Sequence, residues 1–334
     1  MERKLCKILT VRRYCNSASF RSVFEWEDVI ANKMGLQFKY DTFYKRYKIC
    51  ARIEKYLSTK VYHALVRKKE ELCLFFVMTA SIRSLCILDK NIIPVIIDFW
   101  LTTEDLPAFY KAYKECPLIL ITSAEVFSFL KQNNCPLPIE HWPLSLPDNV
   151  EVEYNKKIYD FCFIGRKDPF FVEMLNRYVE KYSDFEYVIN NDDIENREYQ
   201  TNKGIFIGKD TGRESYLDII KKSKISVYST PGVDKAKNVA GRFNQVTPRV
   251  LELISGGCYV LGHYPDNPDT EYYDLKSVVP QINSYSDFEF YMNLYRSKPS
   301  RDIVECRNYI NKHNTSSRVV LLKDILKKHG IMLG

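Results

Sequence analysis

The sequence predicts an α/β protein made of two doubly wound, Rossmann-like domains that face each other across a cleft. The chain has 334 residues, which suits two domains of about 150 residues each. Short apolar segments alternate with amphipathic segments in two successive blocks. Between the blocks, Cys135–Asp148 holds four prolines, a density typical of a linker. We therefore expect one domain at residues 1–150 and the other at residues 151–334.

The first block alternates strands and helices. Apolar runs bounded by polar residues predict strands, and apolar residues that recur every three or four positions predict helices. The expected strands are Leu5–Val11, Ile92–Ile97 and Leu118–Ile121, and Leu72–Met78 is expected to be a strand or another buried segment. The expected helices are Val23–Met34, Lys48–Arg67, Leu106–Glu115 and a last one that Ser123 caps and that runs to about Gln132. The unbroken run Ile92–Ile97 favours a parallel strand covered on both faces.

The second block repeats the alternation. Its expected strands are Tyr159–Ile164, Glu186–Ile189, Ile205–Ile207 and Ile225–Tyr228. Its expected helices are Pro169–Tyr182 and a helix from Thr211 to Lys222, opened by a capping box of Thr211 and Glu214. From Ser286 onward the pattern is helical to the end. Two such blocks favour sheets whose ligands bind beyond the carboxyl ends of the strands.

The segment Lys224–His263 is the most informative, because it combines a strand, a long basic loop, a helix and a second strand. Thr247 followed by Pro248 predicts a helix start with a side-chain cap, and Gly256–Gly257 predicts its end. A helix N-terminus carries partial positive charge and N–H groups that bind anions. The cations of the preceding loop are Lys235, Lys237 and Arg242. This combination predicts a diphosphate site at Thr247.

Composition excludes several classes of protein. With 46% hydrophobic and 27% charged residues, the chain is a folded soluble protein and not a disordered or fibrous one. Its ten cysteines are scattered without a Cys-x-x-Cys pair, which favours buried free thiols over a zinc site. Walker-type loops, Ser/His/Asp sets and metal-ligand clusters are absent from the sequence. We expect no signal peptide, and the most apolar region, Leu72–Trp100, is too interrupted by charges to span a membrane.

The positive charge is concentrated at the front of the chain. Residues 1–90 hold 19 Lys and Arg against 9 Asp and Glu, whereas the rest of the chain holds 30 against 33. This surplus fits an anionic partner such as a membrane surface or a polyanionic glycan, and it equally fits a solvated face without a partner. Nucleic acid is the less favoured partner, because no recognition motif or aromatic platform accompanies the charge.

Four landmarks of the second block carry a resemblance to a known family. They are Phe163–Arg166, the strand Ile205–Gly208 with the helix Thr211–Lys222, the strand Ile225–Ser229, and the run Arg249–Val260. In order and spacing they resemble the donor domain of GT-B glycosyltransferases related to families 1 and 4, of the bacterial surface-polysaccharide type. The resemblance covers about residues 157–282. It implies the GT-B fold and transfer of a sugar from a nucleotide-diphosphate sugar to a glycan or lipid-linked acceptor.

The resemblance also implies roles for individual residues. Glu252 is expected to bind the ribose hydroxyls, and Arg166, next to Gly165, is expected to neutralise the diphosphate leaving group. The nucleotide is expected to lie against Gly208 and the residues that follow it. Arg242, Thr247 and Arg249 complete the expected binding set. Since arginines and a helix N-terminus can stabilise the leaving group, we expect neither a metal nor another cofactor.

Two residues are candidates for the chemistry itself. Asp98, after a buried strand, is expected either to contact the acceptor or to cap a turn or helix. Asn244 lies eight residues before Glu252, where retaining relatives often carry a glutamate, and an amide cannot supply negative charge to an oxocarbenium-like transition state. The expected reaction is retaining transfer by an enzyme at the cytoplasmic face of a membrane. The alternatives are a catalytically silent nucleotide-sugar-binding partner and a sugar-nucleotide epimerase of the same fold.

Overall fold

A computed structural model describes residues 3–15, 18–40, 71–86, 88–191, 197–233 and 243–334. The chain divides into two compact units. The first unit comprises Met1–Pro147, Val239–Phe243 and Thr315–Gly334, and the second comprises Asp148–Asn238 and Asn244–Asn314. Each unit contains one sheet with helices, so the prediction of two Rossmann-like α/β domains is confirmed. The expected helix Lys48–Arg67 lies outside the described residues.

The first unit is a parallel α/β structure. Its strands are β1 (Arg3–Thr10), β2 (Gln37–Tyr40), β3 (Glu71–Ala80), β4 (Ile92–Phe99), β5 (Ile119–Ile121), β6 (Ile139–His141) and, from the end of the chain, β13 (Ile331–Leu333). Its helices are α1 (Ala18–Met34), a 3₁₀ turn (Thr103–Asp105), α2 (Leu106–Tyr113), α3 (Ala124–Gln132) and, near the end of the chain, α11 (Thr315–Lys328). Ser123 caps α3 as expected, because its Oγ accepts a hydrogen bond from Val126 N at 3.1 Å.

The strands of the first unit are ordered β13-β1-β3-β4-β5-β6, with β2 also paired to β1, and every pair is parallel. Both faces of this sheet are buried. In β3, Leu72, Leu74 and Phe76 belong to one hydrophobic core, whereas the alternate residues Cys73 and Phe75 belong to another. Because side chains alternate between faces along a strand, the two cores lie on opposite sides of the sheet.

The last twenty residues differ from expectation. The sequence pattern predicts that they belong to the second block and are helical to the end. In the structure the second unit ends at Asn314, and Ile331–Leu333 forms strand β13, which pairs with β1. The physical reason is the apolar face of α11, where Leu322 and Leu326 join the core around α1. The indole Nε1 of Trp142 also donates to Arg318 O at 2.8 Å. The first unit therefore takes its last helix and an edge strand from the far end of the chain.

The second unit contains the remaining elements. Its strands are β7 (Tyr159–Phe163), β8 (Val188–Asn190), β9 (Glu198–Thr201), β10 (Phe206–Lys209), β11 (Ser223–Ser229) and β12 (Tyr259–His263). Its helices are α4 (Pro169–Lys181), α5 (Arg213–Lys222), α6 (Pro248–Ser255), α7 (Pro268–Tyr272), α8 (Leu275–Val278), α9 (Tyr285–Ser297) and α10 (Ile303–Lys312). The strand order is β10-β9-β8-β7-β11-β12. Strands β8, β7, β11 and β12 are parallel to one another, whereas β9 is antiparallel to both of its neighbours.

The start of α5 is one residue later than the expected capping box. Gly212, and not Thr211, is the N-terminal boundary residue, with a φ of 127° that favours glycine. The side-chain acceptor is Ser215, whose Oγ accepts from the backbone N–H groups of Thr211 at 3.0 Å and Gly212 at 3.2 Å. Glu214 takes no part in these bonds, because the later boundary moves the third helical position to Ser215.

Nine cysteines lie in the part of the chain that the structure describes, and these are free thiols. Six of them are buried. Burial raises the pKa of Cys258 to about 12, so this thiol stays protonated near neutral pH. In the same part of the chain, no helix is long and apolar enough to cross a membrane.

Candidate functional site

The second unit contains a pocket of about 210 Å³ where β7 and its parallel neighbour β11 end. We call it the arginine pocket. It is lined by Phe163, Arg166, Asp168, Phe171, Val227, Ser229, Thr247 and Arg249. Three predicted site residues, Arg166, Thr247 and Arg249, are thus brought together from the loop after β7 and the start of α6. Ligands of doubly wound sheets bind at this end of the strands.

Gly165 lies directly beside the guanidinium of Arg249, a residue of the pocket wall. Gly165 has a φ of 81°, in the left-handed region, and its N–H donates to Asn190 Oδ1 at 2.8 Å. A Cβ at Gly165 would collide with the guanidinium of Arg249, whose Nη2 donates to Ile164 O. Only glycine therefore leaves room for Arg249 to cross the end of β7.

Arg166 and Thr247 also line the pocket. Arg166 is exposed overall, and its Nη2 donates to Ser229 O at 2.8 Å, which holds the guanidinium over the end of β11. Thr247 precedes α6, as expected, but its side chain makes no capping hydrogen bond. Its backbone N–H instead donates to the hydroxyl of the buried Tyr228 at 3.0 Å, which anchors the helix start to β11. The helix ends as predicted at Gly256–Gly257, where Gly257 has a φ of 70°.

Glu252 is one turn further along α6 than Arg249. Its carboxylate is buried, with 5% of the residue exposed, and it accepts a hydrogen bond from Arg213 Nη1 at 2.6 Å. Arg213 is the first residue of α5, so this ion pair joins the starts of α5 and α6. Arg213 was not among the predicted site residues. Nothing in its spacing indicates a partner 39 residues away.

Asn244 and Gly208 lie in other parts of the second unit. Asn244 Oδ1 accepts a hydrogen bond from Thr230 Oγ1 at 2.8 Å, and the amide fills the space where Gly232 would carry a Cβ. Gly208 lies on β10, at the opposite edge of the sheet from β12. The predicted residues Lys235, Lys237 and Arg242 lie outside the described residues.

Asp98 belongs to the first unit. It is the next-to-last residue of β4, in register with Thr79 of β3, and is not the first residue after a strand that ends at Ile97. The strand is longer than the apolar run because Phe99 is also buried and packs edge-on against Phe109 at 5.3 Å. Asp98 therefore stands at the carboxyl edge of the first sheet, half-buried between two apolar neighbours.

The pocket also contains a contact between Asp168 and His263 that the sequence did not predict. Asp168 is 2% exposed, lines the pocket, and its Oδ2 lies 2.8 Å from Nδ1 of His263 at the end of β12. Neither residue was among the predicted site residues. The clue available was that His263 ends the segment Lys224–His263 and that Asp168 directly precedes the predicted helix Pro169–Tyr182. Among the residues that the structure describes, no group of His, Cys, Asp and Glu could hold a metal ion.

Comparisons with known proteins identify the fold but no relative by sequence. No protein-family model matches the chain, and no curated protein matches it. The chain resembles a chain of the GtfA/B complex with a TM-score of 0.50 and 11% identity, over 81% of this chain and 59% of that one. It thus spans under two thirds of that chain. At this identity the likeness shows the fold alone, which is the GT-B fold that the sequence resemblance implied.

Two more solved structures match below a TM-score of 0.5. WaaG, a glycosyltransferase involved in lipopolysaccharide biosynthesis, gives 0.49 at 10% identity over 96% of this chain and 98% of that one. The UDP-GlcNAc 2-epimerase from Methanocaldococcus jannaschii gives 0.44 at 10% identity over 97% and 99%.

Proposed function

We propose that this protein transfers a sugar from a nucleotide-diphosphate sugar to a glycan or lipid-linked acceptor. The observation that supports the proposal is the arginine pocket, where Arg166, Arg249 and the start of α6 meet at the carboxyl ends of β7 and β11. Its volume is below the roughly 300–1,000 Å³ of pockets that enclose a whole small ligand. The pocket therefore suits one part of the donor, its diphosphate.

The chemistry follows from the leaving group. Breaking the bond between a sugar and a nucleoside diphosphate leaves negative charge on the phosphate oxygens. Hydrogen bonds from guanidinium groups to phosphate are charge-assisted, and a helix N-terminus adds partial positive charge. Preorganised donors of this kind stabilise charge that develops in the transition state. We accordingly propose that the reaction requires no metal ion.

The nucleoside end is proposed to lie near Glu252. One carboxylate oxygen accepts from Arg213, and a carboxylate has lone pairs for more than one hydrogen bond. Arg213 fixes the orientation of Glu252, so that the carboxylate is preorganised to accept from ribose hydroxyls. This pair also links the start of α5, which follows Gly208, to the helix that begins at the diphosphate.

The test is binding of nucleotide sugars to matched variants. A thermal-shift series with UDP, GDP, ADP, CMP and dTDP selects the base, and calorimetry with the corresponding nucleotide sugar then measures Kd. Arg166→Ala and Arg249→Ala should each raise Kd about 10- to 100-fold, because charge-assisted hydrogen bonds contribute about 1.5–3 kcal/mol. Arg307→Ala is the control, since Arg307 Nη2 also bonds one backbone carbonyl, Val152 O at 2.9 Å, but lies outside the pocket. Unchanged affinity in both pocket variants would reject the site.

A second candidate is binding of a nucleotide sugar without transfer. The observation that favours it is Asn244, whose amide oxygen is engaged by Thr230 and which offers no carboxylate. Release of free nucleotide during incubation with acceptor extracts supports the transferase. Conversion of the donor without any acceptor indicates the epimerase of the same fold, and tight binding with neither reaction indicates the silent partner.

The basic surplus of residues 1–90 supports a further part of the proposal, docking on an anionic membrane surface at the cytoplasmic face. Electrostatic docking weakens as salt screens the charges. Sedimentation with phosphatidylserine vesicles at low and high salt tests it, and binding that is absent at low salt would reject it.

A further inference from the structure

A carboxylate lies in the wall of the arginine pocket, where an anionic ligand is proposed to bind. Asp168 Oδ1 accepts from Phe170 N at 3.0 Å, which caps α4, and Oδ2 contacts His263 Nδ1 at 2.8 Å. Burial alone would raise the pKa of Asp168, but the hydrogen bonds from His263 and Phe170 N outweigh burial and lower it. Asp168 is therefore ionised at neutral pH.

His263 is held in one orientation beside this carboxylate. It is the last residue of β12 and is in register with Ser229 of β11, whose carbonyl holds Arg166. Its ring stacks on Phe170 at 4.2 Å between centroids, and Phe171 contacts it edge-on at 6.1 Å. A quarter of the His263 side chain is exposed, so the imidazole can exchange protons with solvent.

The contact with Asp168 decides which nitrogen of His263 carries the hydrogen. An ionised carboxylate only accepts hydrogen bonds, so Nδ1 of His263 carries the hydrogen. The neutral ring then has its basic lone pair on Nε2, and the second proton adds there. A carboxylate that orients a histidine in this way also stabilises its protonated form.

The other charged groups around the pair have separate partners. Arg166 and Arg249 bond backbone carbonyls at the strand ends, and Lys167 Nζ donates to Asn190 O at 3.1 Å. On the loop after β12, Asp266 pairs with Lys276 at 2.7 Å on the surface. None of these contacts involves the Asp168–His263 pair.

We propose that His263 is a positioning residue of the donor site, which takes up a proton when a nucleotide-diphosphate sugar binds and thereby offsets the charge of Asp168. The inference rests on the proposed function. A bound diphosphate stabilises the cationic ring, so the ligand and the proton bind with reciprocal coupling. Donor affinity consequently falls as the pH rises, because the ligand favours the protonated ring.

The experiment measures donor binding and proton uptake together. The probe is UDP-glucose, or the glucose diphosphate of whichever base the thermal-shift series selects, since a doubly esterified diphosphate does not itself titrate between pH 5.5 and 8.5. Calorimetry at pH 7 in buffers of different ionisation enthalpy gives the number of protons taken up. We expect net uptake by the unmodified protein, and a Kd that rises roughly tenfold between pH 6 and pH 8.

Two variants separate this role from a structural one. His263→Gln keeps a side-chain N–H for Asp168 but cannot be protonated, so proton uptake and pH dependence should both disappear. His329→Gln is the control, because Nε2 of His329 contacts Glu140 at 2.8 Å in the first unit, a comparable pair away from the pocket. It should retain both properties. Thermal unfolding of each variant checks its folding, and the proton count of the unmodified protein needs no variant.

The outcomes are distinct. Binding without proton uptake and with a Kd that is constant from pH 6 to pH 8 overturns the inference and leaves the proposed function standing. If His263→Gln takes up as many protons as the unmodified protein, the proton binds at another group, and the inference is also overturned. Failure of every nucleotide sugar to bind overturns the proposed function and, with it, this inference.

Discussion

At the scale of single residues, the arginine pocket depends on one glycine. Gly165 is needed for two reasons, a left-handed backbone and the space that the Arg249 guanidinium occupies. Gly204 has nearly the same φ, 82° against 81°, but nothing lies within 4 Å of where its Cβ would be. Comparing substitutions at these two glycines therefore distinguishes the effect of backbone strain from the effect of crowding Arg249.

Gly165→Ala should lower both stability and donor affinity, whereas Gly204→Ala should lower stability alone. Each substitution places a Cβ on a left-handed residue, at about 1–2 kcal/mol. Only the alanine at residue 165 also displaces Arg249, and we expect about a tenfold higher Kd for the nucleotide sugar. Calorimetry and thermal unfolding measure the two effects, and equal affinities of the two variants would contradict the assignment of Arg249.

The first unit contains a buried acid that makes stability depend on pH. Glu27 is 1% exposed and accepts from Thr10 Oγ1 at 2.7 Å and Arg12 Nε at 3.0 Å. Burial raises the pKa of Glu27 to about 7, although Thr10 and Arg12 oppose the rise. Asp28 pairs with the same arginine at 2.7 Å, but its side chain is 56% exposed.

Stability of the first unit should fall as the pH rises from about 5 to 7 and then level off. Because the folded-state pKa of Glu27 exceeds its unfolded value, the folded state binds more protons in this range, and the stabilisation is lost as the carboxyl ionises. The loss is on the order of 2–3 kcal/mol. Glu27→Gln should flatten the curve of unfolding free energy against pH, measured in urea, whereas Asp28→Asn should keep the slope. If the unfolding free energy of Glu27→Gln still fell steeply with pH, the pH dependence would belong to another group.

At the scale of elements, α11 is anchored by one face. Leu322 is fully buried in the core that α1 shares, and Val320, two residues earlier on the same helix, is 63% exposed. A hydrogen bond also links the helix backbone to the rest of the first unit, because Trp142 Nε1 donates to Arg318 O. Packing of this face, and not helix propensity, holds the end of the chain on the first unit.

Leu322→Ala should lower the free energy of unfolding of the first unit by about 2–5 kcal/mol, since it removes buried methyl groups and leaves a cavity. Val320→Ala removes methyl groups from an exposed site and should stay within about 0.5 kcal/mol. Urea unfolding followed by tryptophan fluorescence reports on this unit, because all three tryptophans, Trp26, Trp100 and Trp142, belong to it. Similar losses in both variants would mean that α11 does not pack through the face containing Leu322.

At the scale of the whole molecule, the order along the chain and the division in space differ. The first unit begins the chain and also ends it, because α11 and β13 complete the core and edge of the sheet that begins with β1. The second unit contains every described residue of the arginine pocket. The stability of the first unit and the donor binding proposed for the second therefore depend on different residues.

A chain that ends at Asn314 should lose hydrogen-exchange protection in β1 and β3 but keep it in β7 and β11. The truncation exposes the core around Leu5 and leaves β1 without its β13 partner, whereas the second unit loses no residue. Hydrogen exchange followed by mass spectrometry measures protection strand by strand. Unchanged protection in the first unit would show that α11 contributes little to its stability.

The sequence by itself determined the local structure and the class of fold. The apolar runs of β4 and β11 predicted buried strands, and Ser123 and Gly256–Gly257 predicted helix boundaries, because period, capping and turn chemistry depend on neighbouring residues. The resemblance of the second block implied the GT-B fold. Local pattern also marked Arg166, Thr247 and Arg249, which line one pocket, since strand ends and a helix start are readable from neighbouring residues.

Only the tertiary structure decided which distant residues meet. The pairs Arg213–Glu252 and Asp168–His263 join residues 39 and 95 positions apart, and α11 joins a sheet that begins more than 300 residues earlier. Local patterns specify that a face is apolar or a side chain charged, but not which partner covers or neutralises it. That choice is made by packing of the complete chain, where each buried charge must lie beside a counterpart.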